Sequence, residues 1–124
     1  MSNPAPGFAR PTDKVITVTD APGTVTVTAN GITIARSSHA KILAETPYKP
    51  AYYIPFADID FTQLEKTTHS THCPYKGDAS YWTVTPAGTT GSNAMWAYES
   101  PYDEMEKIRD HGAFYADRVT ITAE

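Results

Sequence analysis

The chain carries one cysteine, Cys73, among 124 residues. A lone thiol closes no internal disulfide and cannot supply the usual multi-cysteine zinc site. Charge is also sparse: Asp, Glu, Lys and Arg make up 19% of the chain, for a net charge of -4. No segment gathers the dense basic patch that a nucleic-acid backbone requires. No apolar run approaches the roughly 20 residues of a membrane-spanning helix. The opening residues, Met1 to Thr12, include Arg10 but lack the apolar core of a secretory signal. No Gly-rich phosphate loop or other cofactor motif stands out. These absences predict a soluble, cytoplasmic protein with no cofactor, no bound metal, and neither nucleic acid nor membrane as partner.

What the chain does have is strand-forming material. Hydrophobic residues make up 40%, eight are tyrosine, and threonine is plentiful. Aromatic and β-branched side chains favour extended backbone. The length suits a single domain. Residues 1–12, with Pro4, Pro6, Gly7 and Pro11, read as a flexible arm. The domain proper then spans 13–124.

Val15 to Thr19 and Thr24 to Thr28 alternate in the manner of half-buried strands, separated by the turn Asp20-Ala21-Pro22-Gly23. Asn30-Gly31 is a strong two-residue hairpin signal, with Ile32 and Ile34 on the returning strand. His39 to Glu45, Tyr52 to Ile54, Thr67 to Cys73, Ala79 to Thr85, Ala94 to Glu99, Phe114-Tyr115 and Val119 to Thr122 also read as strands. Asp58 to Lys66 suggests a brief helix capped by Asp58 or Asp60. Ala87 to Ser92 reads as a Gly-rich loop. Pro101 to Asp110 is the one principal helix expected. Proline suits its start, acidic residues its first turn, and Lys107 and Arg109 its last. The expected fold is mainly β, α+β by count, with about eight or nine strands.

From Ile32 onward an ordered set of residues stands out: Glu45, then Tyr52-Tyr53-Ile54-Pro55, then Thr71-His72-Cys73-Pro74-Tyr75-Lys76-Gly77-Asp78-Ala79-Ser80-Tyr81. Asn93-Ala94-Met95-Trp96-Ala97-Tyr98, Pro101 and Gly112-Ala113-Phe114-Tyr115 follow. This pattern resembles the domain-of-unknown-function family 427, also labelled a nucleotidyltransferase-type domain. The resemblance implies a β-tent-like fold, the type of methionine sulfoxide reductase B. The four-cysteine zinc site common among such relatives has no counterpart in a chain with one cysteine.

The candidate site gathers from these same segments. Cys73 precedes a proline, which holds it extended, and Lys76 lies three residues on across a tight turn. A neighbouring ammonium favours the thiolate, so Cys73 reads either as a nucleophile or as a small buried hydrophobe. Lys76 is a candidate for an anionic substrate group, or a surface ion pair. Glu45 stands in an apolar stretch. It is a general acid or base with a raised pKa, or a carboxylate paired with Lys76 or Arg36. Tyr53, Thr71, Trp96 and Tyr98 are the ligand-binding candidates, and Trp96 and Tyr98 share a strand face. The three aromatics alternatively form a core seam.

His69, Thr71 and Cys73 face one way along their strand, but His69 and Cys73 stand about 13 Å apart, too far to share an ion. Asp58-Ile59-Asp60 offers two carboxylates to magnesium, yet sits where aspartate is an ordinary helix cap. The leading functional reading is a small-molecule-binding domain, catalytic if Cys73, Lys76 and Glu45 work together. The alternative is a non-catalytic interaction or structural module, and metal-dependent nucleotidyl transfer is the weaker third. An exposed strand edge leaves a homodimer open.

Overall fold

The computed structural model describes residues 2–124. Its ten strands are β1 (Ile16–Asp20), β2 (Val25–Ala29), β3 (Ile32–Ser37), β4 (Lys41–Glu45), β5 (Ala51–Pro55), β6 (Leu64–Cys73), β7 (Gly77–Val84), β8 (Met95–Ala97), β9 (His111–Phe114) and β10 (Thr120–Ala123). The mainly-β expectation is met, with ten strands where about eight or nine were expected. Seven strands form one sheet in the order β1-β4-β5-β9-β8-β7-β6, and three form a second in the order β10-β2-β3. Every pairing is antiparallel.

The β2–β3 hairpin turns at Asn30 and Gly31, both in the left-handed region at φ 49° and 80°. Consecutive positive φ values are what a type I′ turn needs, and Asn-Gly is the pair that adopts them most readily. An irregularity at Val27/Thr28 shifts the pairing register.

The large sheet has two different faces because successive side chains of a strand point to opposite sides. One face packs on the small sheet. There Ile54, Trp82, Met95, Ala97 and Phe114 meet Val25, Val27 and Ile34 in the main apolar core. The opposite face carries a second cluster of Leu43, Tyr53, Ala79, Tyr81, Tyr98 and Ala113, joined by Met105 and Ile108 from the segment after β8.

That segment corrects the expected principal helix. Pro101 to Asp110 holds only a 3-10 run, Asp103–Ile108, and its backbone leaves helical geometry at Met105 (φ -113°, ψ 24°). Met105 and Ile108 are the two buried residues of the run. Their spacing of three matches the three residues per turn of a 3-10 helix, so the tighter coil puts both on the sheet. The brief helix expected over Asp58 to Lys66 is likewise two 3-10 turns, Phe56–Asp58 and Phe61–Gln63. Asp60 caps the second by accepting the Thr62 backbone N–H. From Leu64 onward the chain is already β6, paired with β7. The expected loop at Ala87 to Ser92 falls within a 3-10 run, Thr85–Gly91, broken at Gly88.

Of the residues 1–12 expected as a flexible arm, Met1 lies outside the described residues. Among the others, Ala5 is buried and the Gly7 N–H donates to the Pro74 carbonyl at 2.8 Å, while residues 9–12 are exposed. Among the described residues, no helix is long and apolar enough to cross a membrane.

Candidate functional site

A row of directly opposed residues crosses the middle of the large sheet: Tyr53 on β5, Ala113 on β9, Trp96 on β8 and Tyr81 on β7. All four belong to the second cluster, on the face turned away from the small sheet. Ala113 is fully buried and contributes only a methyl group between two large rings. Tyr53 and Trp96 therefore meet across it edge to face, with centroids 6.2 Å apart. The Trp96 Nε1–H donates to the Tyr53 hydroxyl oxygen at 3.0 Å. On the neighbouring pair, Leu43 of β4 stands opposite Ala51 of β5, a second small residue in the floor.

Leu43, Ala51, Tyr53, Tyr81 and Trp96 floor an open cavity of about 440 Å³, with Ala113 buried beneath them. Its walls include Glu45, Tyr53, Cys73, Lys76, Trp96 and Tyr98, six of the seven positions singled out from the sequence. The seventh, Thr71, lies one layer behind: its hydroxyl bonds that of Tyr81, itself a wall residue, at 2.9 Å. His69 also packs on Tyr81, with ring centroids 4.4 Å apart. Thr71, His69 and Cys73 thus share one side of β6, as strand alternation requires.

Glu45 ends β4 and is only 8% exposed. Its Oε1 accepts from Lys76 Nζ at 2.5 Å and its Oε2 from Lys14 Nζ at 3.1 Å. Lys14 also donates to the Thr46 carbonyl at 3.2 Å. Burial pushes the Glu45 carboxyl pKa up, but the hydrogen bonds and charges of Lys76 and Lys14 outweigh it and leave the pKa below the ordinary value of 4.5. The sequence expectation of a raised pKa is therefore corrected. Glu45 is a carboxylate at neutral pH, fixed between two cations, and Arg36 takes no part in the pairing. Lys76 further lies over the Tyr98 ring, 5.5 Å from its centroid.

Cys73 is half-buried at the end of β6 and lines the cavity. No hydrogen bond joins it to Lys76 among the described residues; Lys76 Nζ donates to Glu45 instead. The phenols surrounding it are held protonated. Burial raises the pKa of Tyr53 and of Tyr98 above the ordinary value of 10.0. Tyr115, on the outer edge of the cavity, is pushed up to about 12 by burial and by its hydrogen bonding to Tyr81.

Several wall residues escaped the sequence reading. Tyr81 and Tyr115 lay inside the recognised motif but were read only as strand residues. Tyr48 and Lys49 lie in a segment that reads only as a loop. Lys14, which is not a wall residue but pairs with Glu45, precedes the first strand with no local pattern tying the two together.

The two aspartates considered for magnesium do separate work. Asp58 accepts from the Ser37 hydroxyl at 2.5 Å, while Asp60 holds the Thr62 N–H and hydroxyl at 3.1 and 2.5 Å. Among the described residues no three His, Cys, Asp or Glu side chains come together in a way that could hold a metal ion. His72 pairs with Asp78 on the surface, and the His111 ring bonds the Arg109 carbonyl oxygen.

Residues 17–124 match the family model described as a domain of unknown function, DUF427. No curated protein matches the chain.

Proposed function

The chain belongs to the DUF427 family, and from that premise we propose that it is a binding domain for a small organic molecule held on the outer face of the large sheet. One observation carries this reading: a cavity of about 440 Å³ whose walls are aromatic rings with hydroxyl tips and a lysine–carboxylate cluster. That volume lies within the range of small-molecule sites, about 300 to 1,000 Å³, where apolar walls provide contact area and a few polar groups set orientation. Tyrosine suits such a wall because its ring is flat and stiff and its hydroxyl bonds either donors or acceptors. The expected occupant has a flat apolar body that lies among Tyr53, Tyr81, Trp96 and Tyr98, and a polar end near Lys76. A β-tent-like assignment accompanies this reading, supported by two antiparallel sheets stacked face to face.

The test is a ¹H–¹⁵N titration of the folded protein with a panel of small aromatic acids, amides and alcohols, following the Trp96 indole N–H. That resonance reports directly on the cavity because the group donates to Tyr53. Saturable shifts, abolished when Ala51→Leu fills the floor, are expected. A panel that leaves the indole unmoved up to millimolar concentration sinks the reading.

A second reading adds covalent chemistry, favoured by the position of the Cys73 thiol in the same wall as Lys76 and Tyr98. The thiolate would attack an electrophilic carbon of the bound molecule, forming a C–S bond either as a leaving group departs with its electron pair or as a C=O π pair moves onto its oxygen, which then takes up a proton. The tyrosine hydroxyls are placed to donate a proton to it.

A further inference from the structure

We infer that the N-terminal segment completes the cavity electrically, through Lys14, and thereby selects a small organic anion. The inference deepens the binding proposal above and rests on it.

Glu45 and Lys76 alone would cancel, leaving a neutral wall. Lys14 adds a second ammonium to the same carboxylate, so two cations face one anion and one positive charge remains. Lys49 on the cavity edge adds another. Both paired lysines are largely shielded, with side chains 17% and 12% exposed, so solvent screens their charge less than it would at the surface.

An ammonium has three donors and no acceptor. Lys76 uses one, on Glu45. The indole N–H is a donor only, so the Tyr53 oxygen that receives it must turn its own proton elsewhere. Among the described residues no hydrogen bond engages the Tyr98 hydroxyl, which can donate or accept, although the residue is only 7% exposed. Lys76, Tyr53 and Tyr98 thus each have a donor to offer an occupant. An oxyanion accepts from all three beside a net positive charge, and the flat apolar floor points to an aromatic or short aliphatic carboxylate.

The Asn3 and Ala5 backbone N–H groups donate to the carboxylates of Asp103 and Glu104 at 2.6 and 2.8 Å. Gly7 lies so close to the turn after β6 that a Cβ there would come within 2.6 Å of the Tyr75 ring and 2.9 Å of the Pro74 carbonyl oxygen. Phe8 packs edge-on against Tyr75 at 5.0 Å. The chain is thereby strapped along the turn that carries Lys76, and Lys14 reaches Glu45 from behind the wall, its ammonium over the rings of Tyr48 and Tyr75. Lys14 is a positioning residue. It offsets and orients Glu45, which leaves the Lys76 charge available to the ligand. The family match begins at residue 17, so the strap and Lys14 lie outside it.

Benzoate and benzamide, equal in shape and different in charge, separate the outcomes. Both are titrated at low ionic strength into the whole protein, with the Trp96 indole N–H as readout, and into Lys14→Ala and Lys14→Arg. Benzoate is expected to bind about tenfold tighter than benzamide, the order of one unscreened charge at this range. Lys14→Ala should collapse that ratio several-fold with benzamide affinity unchanged, and Lys14→Arg should restore it. If neither probe binds, the cavity reading itself fails and this inference with it. Equal binding of the two leaves the cavity reading standing and overturns the anion. An unchanged ratio in Lys14→Ala, or a loss that Lys14→Arg does not restore, overturns the role given to Lys14.

Discussion

Replacing Glu45 by alanine leaves two lysines facing each other without the carboxylate that joins them. Breaking a buried ion pair by removing one member costs about 3 to 5 kcal/mol, because the remaining charge is stranded. Here the stranded ammonium groups keep some contact with water, 17% and 12% of their side-chain surfaces, so the low end applies, about 3 kcal/mol. A domain of this size loses roughly 3 to 4 °C of melting temperature per kcal/mol, so the midpoint should fall by about 10 °C. Urea unfolding supplies the free energy and thermal melts the midpoint.

The same group gives the stability a pH signature. The folded carboxyl holds its proton more weakly than an unfolded glutamate does, because Lys76 and Lys14 favour the charged form. Its contribution is therefore complete above the unfolded value, near 4.5, and is lost as the pH falls through the lower folded value. The stability difference between the parent and Glu45→Gln should be flat from pH 8 to about 5 and shrink below it. Other depressed carboxyls, such as Asp20 and Glu99, are common to both proteins and cancel in the difference. A cost of Glu45→Ala under about 1 kcal/mol, the range of surface pairs, or a difference that ignores acid, would refute the account of the cluster.

Three further outcomes are expected. Cys73, being half-buried in the cavity wall, should alkylate in the folded protein, and a bound cavity ligand should slow that reaction; a thiol inert until unfolding would remove it from the site. Ala113→Leu should cost about 1 to 3 kcal/mol by overpacking in urea unfolding, since the side chain is fully buried between Tyr53 and Trp96 on the flanking strands; an unchanged stability would contradict that packing. Gly91→Ala should destabilise by about 2 kcal/mol or more in urea unfolding, because its Cβ would stand 2.0 Å from the Val84 carbonyl oxygen, which is backbone and cannot swing aside.

Strand parity and turn chemistry made much of the architecture legible. Asn30-Gly31 located the first hairpin from two residues alone, and alternation along β6 put His69, Thr71 and Cys73 on one side. The coil type of the Pro101 to Asp110 segment was not legible. Proline at the start, acids first and bases last favour any right-handed helix, and only the packing of Met105 and Ile108 on the sheet selects the tighter one. Lys14 was hidden for a related reason. Its partner is 31 residues away, and nothing short-range in Lys14 or its neighbours distinguishes a buried ion pair from a surface charge. Glu45 was found, but its pKa direction was not, because that sign depends on how many cations arrive and not on burial alone.

The two-sided construction of the large sheet makes neighbours in the chain answer to different surroundings. Along β5, Tyr53 belongs to the outer face and Ile54 to the core against the small sheet; along β7, Tyr81 and Trp82 divide in the same way. Adjacent codons therefore serve different clusters, and a substitution at Tyr53 or Tyr81 leaves the packing between the two sheets to its neighbour in the gene.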